Sequence, residues 1–138
     1  MEDKLIKELL EDVKYNKLKT LKEIEEDKKI ILDNLYDKYE YYNINEKNKK
    51  NTYDLLKNYK YVECDELLRG DYIRYINDKY FYNITLMKGG FIMKMDEDKI
   101  EIMNNNIYNK INKRDYIIFK KITKEENIKL LILDNLDV

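Results

Sequence analysis

Residues 67–95 read LLRGDYIRYINDKYFYNITLMKGGFIMKM, and the reading of this stretch decides the fold. Gly70 opens a strongly β-prone run, Asp71 to Ile76. The pair Gly89-Gly90 stands between two more, Phe81 to Met87 and Phe91 to Met95. The chain has only these three glycines. A residue used so sparingly belongs where the backbone needs positive φ or where strands approach closely, so Gly70, Gly89 and Gly90 are expected at the corners of a small sheet. Gly89-Gly90 is expected to close a hairpin.

Downstream the pattern keeps a period of two. Ile73 and Tyr75, then Tyr82, Ile84 and Leu86, then Phe91, Met93 and Met95, then Ile100 and Ile102, then Ile117 and Phe119 occupy alternate positions in short runs. Turn residues separate them at Asn77-Asp78, Gly89-Gly90, Asp96 to Asp98, Asn104 to Asn106 and Asn112 to Asp115. Five or six short strands joined this way predict an antiparallel meander, and one this small must curl to close its edges and enclose a core. The expected product is a small β-barrel of the SH3 or Tudor kind. Thr123 followed by Glu126 has the spacing of a capping box and predicts a last helix with Ile128, Leu131, Ile132 and Leu136 as its apolar stripe; a final strand over Leu130 to Leu133 is the alternative.

Upstream the period is helical. From Asp3 to about Tyr42, apolar residues recur at Leu5, Leu9 and Val13, then at Leu21, Ile24, Ile31, Leu35 and Tyr39 or Tyr42, with a break expected at Lys14 to Lys17. The other face, with Glu23, Glu25, Glu26, Lys28, Lys29 and Asp33, reads as solvated, with Glu25 and Lys29 spaced as an ion pair. A lone helix cannot bury its own stripe. It must dock on the rest of the chain, fold back, or pair with a second copy through Leu21, Ile24, Ile31 and Leu35. The polar stretch Asn43 to Asn51 is expected to be a linker, and Tyr53 to Tyr59 a short helix. The class is therefore α+β: residues 1–60 an amphipathic helical region, as coiled coil or hairpin, and residues 61–138 a small β-barrel with a C-terminal helix.

Composition narrows the chemistry. The chain of 138 residues has 27 bases and 28 acids, and it contains no His, Ser, Trp, Pro, Ala or Gln. Without histidine or serine there is no Ser-His-Asp or Cys-His pair and no histidine metal site. Cys64 is the single thiol, so no disulfide can form within the chain. A reduced intracellular setting follows, with Cys64 as a packing residue. There is no 18-residue apolar run, and Met1 to Leu10 alternates charge with leucine, so neither a membrane span nor a secretory signal is expected. Arg69-Gly70-Asp71 spells an integrin-binding tripeptide, read here as chance. The acids Asp96, Glu97, Asp98 and Glu101 lack calcium-loop spacing and read as a charged hairpin tip. No cofactor is expected, and no catalytic pair stands out, so the chain reads as non-enzymatic.

One constellation points to binding. Between Lys99 and Lys124, Lys99, Lys110, Lys113, Arg114, Lys120, Lys121 and Lys124 outnumber Glu101 and Asp115, with Tyr108 and Tyr116 interleaved. Bases beside exposed aromatics can hold phosphates and stack nucleobases; lysines that guard sheet edges are the structural alternative. Two roles follow: an interaction or structural protein that self-associates through its helix and docks a protein partner on its barrel, or a nucleic-acid-binding accessory that uses the basic strands.

The runs Leu67 to Ile76, Lys88 to Phe91 and Ile118 to Lys121 together resemble a small domain that recurs in proteins of giant viruses (nucleocytoplasmic large DNA viruses). In that domain a GDYIRYI strand is followed by a GGF turn and an IFYK strand. The resemblance covers about residues 65–122. It implies a viral origin, in host cytoplasm or virion, and no particular activity. The abundance of Lys, Asn, Ile and Tyr, all with A/T-rich codons, agrees with such a genome.

Overall fold

The computed structural model describes residues 19–38, 46–77 and 84–135, with isolated helical positions at 4, 6–8 and 11. The expected break at 14–17, the helix end at 39–42, residues 78–83 and Leu136 lie outside the described residues. Helix α1 spans Leu21–Lys38 and α2 spans Glu46–Leu55. Six strands follow: β1 Tyr59–Tyr61, β2 Tyr72–Asn77, β3 Leu86–Met95, β4 Lys99–Asn104, β5 Ile107–Asn112 and β6 Tyr116–Lys121. Helix α3 spans Lys124–Asp134. The molecule is thus α+β, with one six-stranded antiparallel sheet. Among the described residues no helix is long and apolar enough to cross a membrane.

The strand order is β1-β6-β2-β3-β4-β5. The expected meander holds from β2 to β5, but β6 then returns to lie beside β2. Four intervals of about 4.8 Å would separate β5 from β6 by about 19 Å in a flat sheet. Residues 113–115, a single 3-10 turn, join them, and four Cα steps reach at most about 14 Å. The sheet must therefore curl. It is nevertheless not closed: β1 and β5 remain terminal strands, so the closure expected of a barrel is replaced by an open, curled sheet.

The glycine pair is the main correction. Gly89 and Gly90 close no hairpin; both lie inside the continuous strand β3. The ladder to β2 pairs Ile73 with Gly90 but Tyr75 with Met87, a register shift that marks a β-bulge. Gly89 takes φ +69°, and a Cβ there would sit 1.7 Å from the Ile73 carbonyl oxygen. A Cβ on Gly90 would sit 2.4 Å from the Met103 carbonyl oxygen. The pair therefore lets β3 pass closely between β2 and β4. A second shift, between Ile92 and Lys94 against β4, bends the strand further. It also overturns the expected face of β3, because Ile92 is buried while Phe91 is exposed.

The other turns follow their residues. Asn105 and Asn106 both have positive φ and form the two-residue loop between β4 and β5. Asp96 Oδ1 accepts from the backbone N–H groups of Lys99 (2.7 Å) and Asp98 (2.8 Å), shaping the β3–β4 turn. These bonds hold its carboxyl below the usual aspartate range. Gly70, at φ +89°, donates to the Ile92 carbonyl at 2.8 Å. Asp71 accepts from the Leu68 N–H at 2.8 Å, so the Arg69-Gly70-Asp71 run is a structural turn.

Both sheet faces carry a core. The inner face buries Ile73, Tyr75, Ile92, Ile100, Ile102, Ile111 and Ile118, joined by Val62 and Leu67; Cys64 packs against them, and burial pushes its thiol up. On the outer face, Ile76 and Phe119 meet Leu32, Leu35 and Tyr36 of α1 together with Leu56. The chain itself thus takes the stripe proposed for self-association: Ile24 and Leu35 are buried, and Leu21 and Ile31 pack against the same clusters. Ile24 and Leu35 are thereby buried within the chain, while Leu21 and Ile31 stay partly exposed.

Other stretches also differ in detail from the reading of the sequence. The linker proposed for Asn43 to Asn51 is helical from Glu46, because Thr52 and Leu56 anchor that turn under α1: the Tyr36 and Thr52 hydroxyls lie 2.9 Å apart. The boundary placed at residue 60 falls inside β1, on which α1 packs. Lys28, expected in solvent, is fully buried. Its Nζ donates to the Leu56 carbonyl at 2.9 Å and pairs with Glu25 at 2.8 Å, satisfying a carbonyl at the end of α2. In α3 the N-cap half of the expected capping box forms, with the Glu126 N–H on Thr123 Oγ1 at 3.1 Å, while the Glu126 carboxylate pairs with Lys60. The buried residues there are Leu130 and Leu133, however, and Ile128 and Leu131 face solvent. The reason is that α3 docks beside Ile24 of α1 and Ile122.

Candidate binding face

On the outer face α1 packs over Ile76 of β2 and Phe119 of β6, while Phe91 and Tyr108 on β3 and β5 stay exposed, as does Lys121 at the end of β6. Cross-strand pairing there aligns one row. Tyr72 pairs with Phe91, Phe91 with Met103, and Met103 with Tyr108. Four large side chains on four adjacent strands thus share one face along about 14 Å. Phe91 is 50 % exposed and Tyr108 63 % exposed; Tyr72 and Met103 are partly exposed. The Tyr72 and Phe91 rings meet edge to face at 4.9 Å, which fixes their orientation.

The row is flanked by bases. Opposite Tyr72 on β6, Lys121 holds its Nζ 5.6 Å from the centre of the Tyr72 ring, within cation–π range. The next row pairs Lys94 with Glu101 and Glu101 with Lys110, and the one after it pairs Lys99 with Asn112. The Glu101–Lys110 contact is 3.7 Å between half-exposed side chains and is worth little in water. The strand positions of this face therefore carry four lysines, 94, 99, 110 and 121, and one acid, Glu101, with the exposed turn acids Asp96, Glu97 and Asp98 at the β3–β4 end.

The residues expected to bind are thus divided. Lys99, Tyr108, Lys110 and Lys121 share the open face. Lys120 points the other way and pairs with Asp71 at 3.5 Å. Lys113 and Arg114 sit on the 3-10 turn, outside the row. Composition did not single out Tyr72, Phe91, Met103 and Lys94, because their shared face depends on register. A readable signal existed: the Asn105-Asn106 loop sets Met103 opposite Tyr108.

No family model, curated protein or solved structure gives a significant match to this chain.

Proposed function

We propose that the chain is a non-enzymatic nucleic-acid-binding accessory whose open sheet face holds a single strand. The observation that carries this reading is the row Tyr72, Phe91, Met103 and Tyr108 with four lysines against one glutamate at the strand positions of the same face. Flat π surfaces accept any base by stacking, and lysines beside them neutralise backbone phosphates. An apolar row of this size could also dock a protein partner. The charge imbalance among the strand positions of the face, in a chain of net charge −1, favours the polyanion. The strong curl and the 3-10 connection from β5 to β6 support reading the sheet as an open variant of the SH3 or Tudor kind. An accessory of a large DNA virus, acting inside the host cell, fits the sequence resemblance.

The test is fluorescence anisotropy with labelled dT12 across a salt series. Four phosphate-contacting lysines on a single strand give a slope of log affinity against log salt near −3, and Lys121→Ala should reduce it by about 0.7. Removing a stacking ring in Phe91→Ala should weaken binding by about 1–3 kcal/mol without changing the slope. Absence of binding at low salt, or affinity indifferent to Phe91, refutes the reading and leaves the face to a protein partner.

A further inference from the structure

Strand β5 is the end of the sheet that nothing described covers. At the other end β1 has only three residues and lies against α1. β5 has six, Ile107–Asn112, paired to β4 in unbroken register from Lys99–Asn112 to Asn104–Ile107. It has no bulge and no proline, two devices that blunt an edge strand. Ile107 is 67 % exposed on the inner side and Tyr108 63 % exposed on the outer side. Such an edge presents alternate backbone N–H and C=O groups to a further strand.

Two other observations define what would pair there. A cleft of ≈ 310 Å³ opens beside the inner side of the first half of β5, with Tyr75, Met87, Ile102 and Ile107 as apolar lining, Asn104 and Asn109 supplying amides and Lys88 at its margin. A strand added to β5 would place inward side chains, at every second position, over this cleft. Its outward side chains would lie beside Tyr108, Lys110 and Asn112, with Lys99 in the adjacent strand and Lys113 and Arg114 just beyond the strand end. The inner side is apolar at Met87 and Ile107 with polar groups beside them, and the outer side is basic.

We propose that the β5 edge is a β-addition site for an extended peptide segment that alternates apolar and acidic residues. Its backbone pairs with β5, its apolar side chains enter the Tyr75–Ile107 cleft, and its carboxylates face Lys110. This site goes beyond the single-strand face, because the cleft and Ile107 lie on the opposite side of the sheet. A single added strand buries less surface than the 1,200 Å² or more of a stable protein interface, which favours a short, exchangeable segment over a second copy of the chain.

The test titrates the full chain with the acetylated, amidated octapeptide VEVEVEVE, followed by amide chemical shifts. VKVKVKVK and the blocked sequence VVVVEEEE serve as controls. The expected result is a saturable shift confined to residues 107–112 and the cleft, from VEVEVEVE alone. Ile107→Glu, at a solvent-facing position, should leave the melting temperature unchanged and weaken binding about tenfold or more. Lys110→Glu should reverse the preference toward VKVKVKVK, an outcome no purely structural role of Lys110 would produce. No saturable shift, equal binding of both charge types, indifference to Ile107→Glu, or a dimer already burying β5 in sedimentation would overturn the proposal. Phe91→Ala should leave peptide binding intact and Ile107→Glu should leave dT12 binding intact, so failure of one reading is separable from failure of the other.

Discussion

The three glycines give a graded test of how β3 threads the sheet. Each becomes alanine, and the expected losses differ because the local geometry differs. At Gly70 the backbone has φ +89° and an added Cβ meets nothing within 4 Å, so only the left-handed conformation costs, about 1–2 kcal/mol. At Gly90 the φ is not left-handed, but the Cβ would lie 2.4 Å from the Met103 carbonyl oxygen and 2.7 Å from Ile102 Cγ2. That is overpacking, worth about 1–3 kcal/mol. At Gly89 both effects act together, with φ +69° and a Cβ 1.7 Å from the Ile73 carbonyl oxygen. A backbone oxygen cannot swing aside as a side chain can, so the ladder to β2 must open. The sum is about 2–5 kcal/mol, a large share of the 5–15 kcal/mol that holds a typical domain together. Urea denaturation followed by circular dichroism measures all three variants on one scale, and each kcal/mol should lower the melting temperature by about 2–8 °C. The expected order places Gly89→Ala well below the other two. If Gly89→Ala is no worse than Gly70→Ala, the bulge reading of β3 is wrong and the pair is an ordinary flexible turn.

Leu32→Ala should cost about 2–5 kcal/mol in the same denaturation experiment, since Leu32 is buried where α1 meets the sheet; a loss below about 0.5 kcal/mol would mean that α1 does not share the sheet's core. The Tyr53 hydroxyl donates to Glu25 at 2.6 Å, and that bond, aided by burial, pushes its pKa up to about 12. A raised folded pKa stabilises fully below the unfolded value near 10 and is lost as pH rises toward 12. Melts of the intact chain should therefore fall more steeply between pH 10 and 12 than melts of Tyr53→Phe, and parallel curves would disprove the bond. Asp96 should titrate below the usual aspartate range by NMR, with its contribution to stability present above the ordinary carboxylate pKa and lost as pH falls through the lowered one. A normal midpoint would remove the turn bonds from Lys99 and Asp98.

What could be read along the chain was whatever depends on neighbours in sequence. Thr123 and Glu126 predict a helix start because a side-chain oxygen three residues away satisfies an orphan N–H. Asn105 and Asn106 predict a tight turn because asparagine tolerates positive φ. Alternation correctly marked Ile73 and Tyr75, and Ile100 and Ile102, as facing one core. The basic segment after Lys99 was likewise visible in composition.

What only the tertiary structure decided is whatever depends on distant neighbours. Glycine is equally suited to a hairpin turn and to close strand contact, and only the carbonyls of Ile73 and Met103 choose the second. The stripe Leu21 to Leu35 announces that it must be buried but not by what; Phe119 and Ile76 of the sheet answer that. A period of two fails in β6, where Ile118 and Phe119 are both buried, because α1 covers the second face there. The binding face shows the same limit. Lys120 and Lys121 are equivalent as charges, but strand parity sends one to Asp71 and the other to the ring of Tyr72. Parity and register across strands are set by bulges and sheet curl, through contacts between residues far apart in the chain.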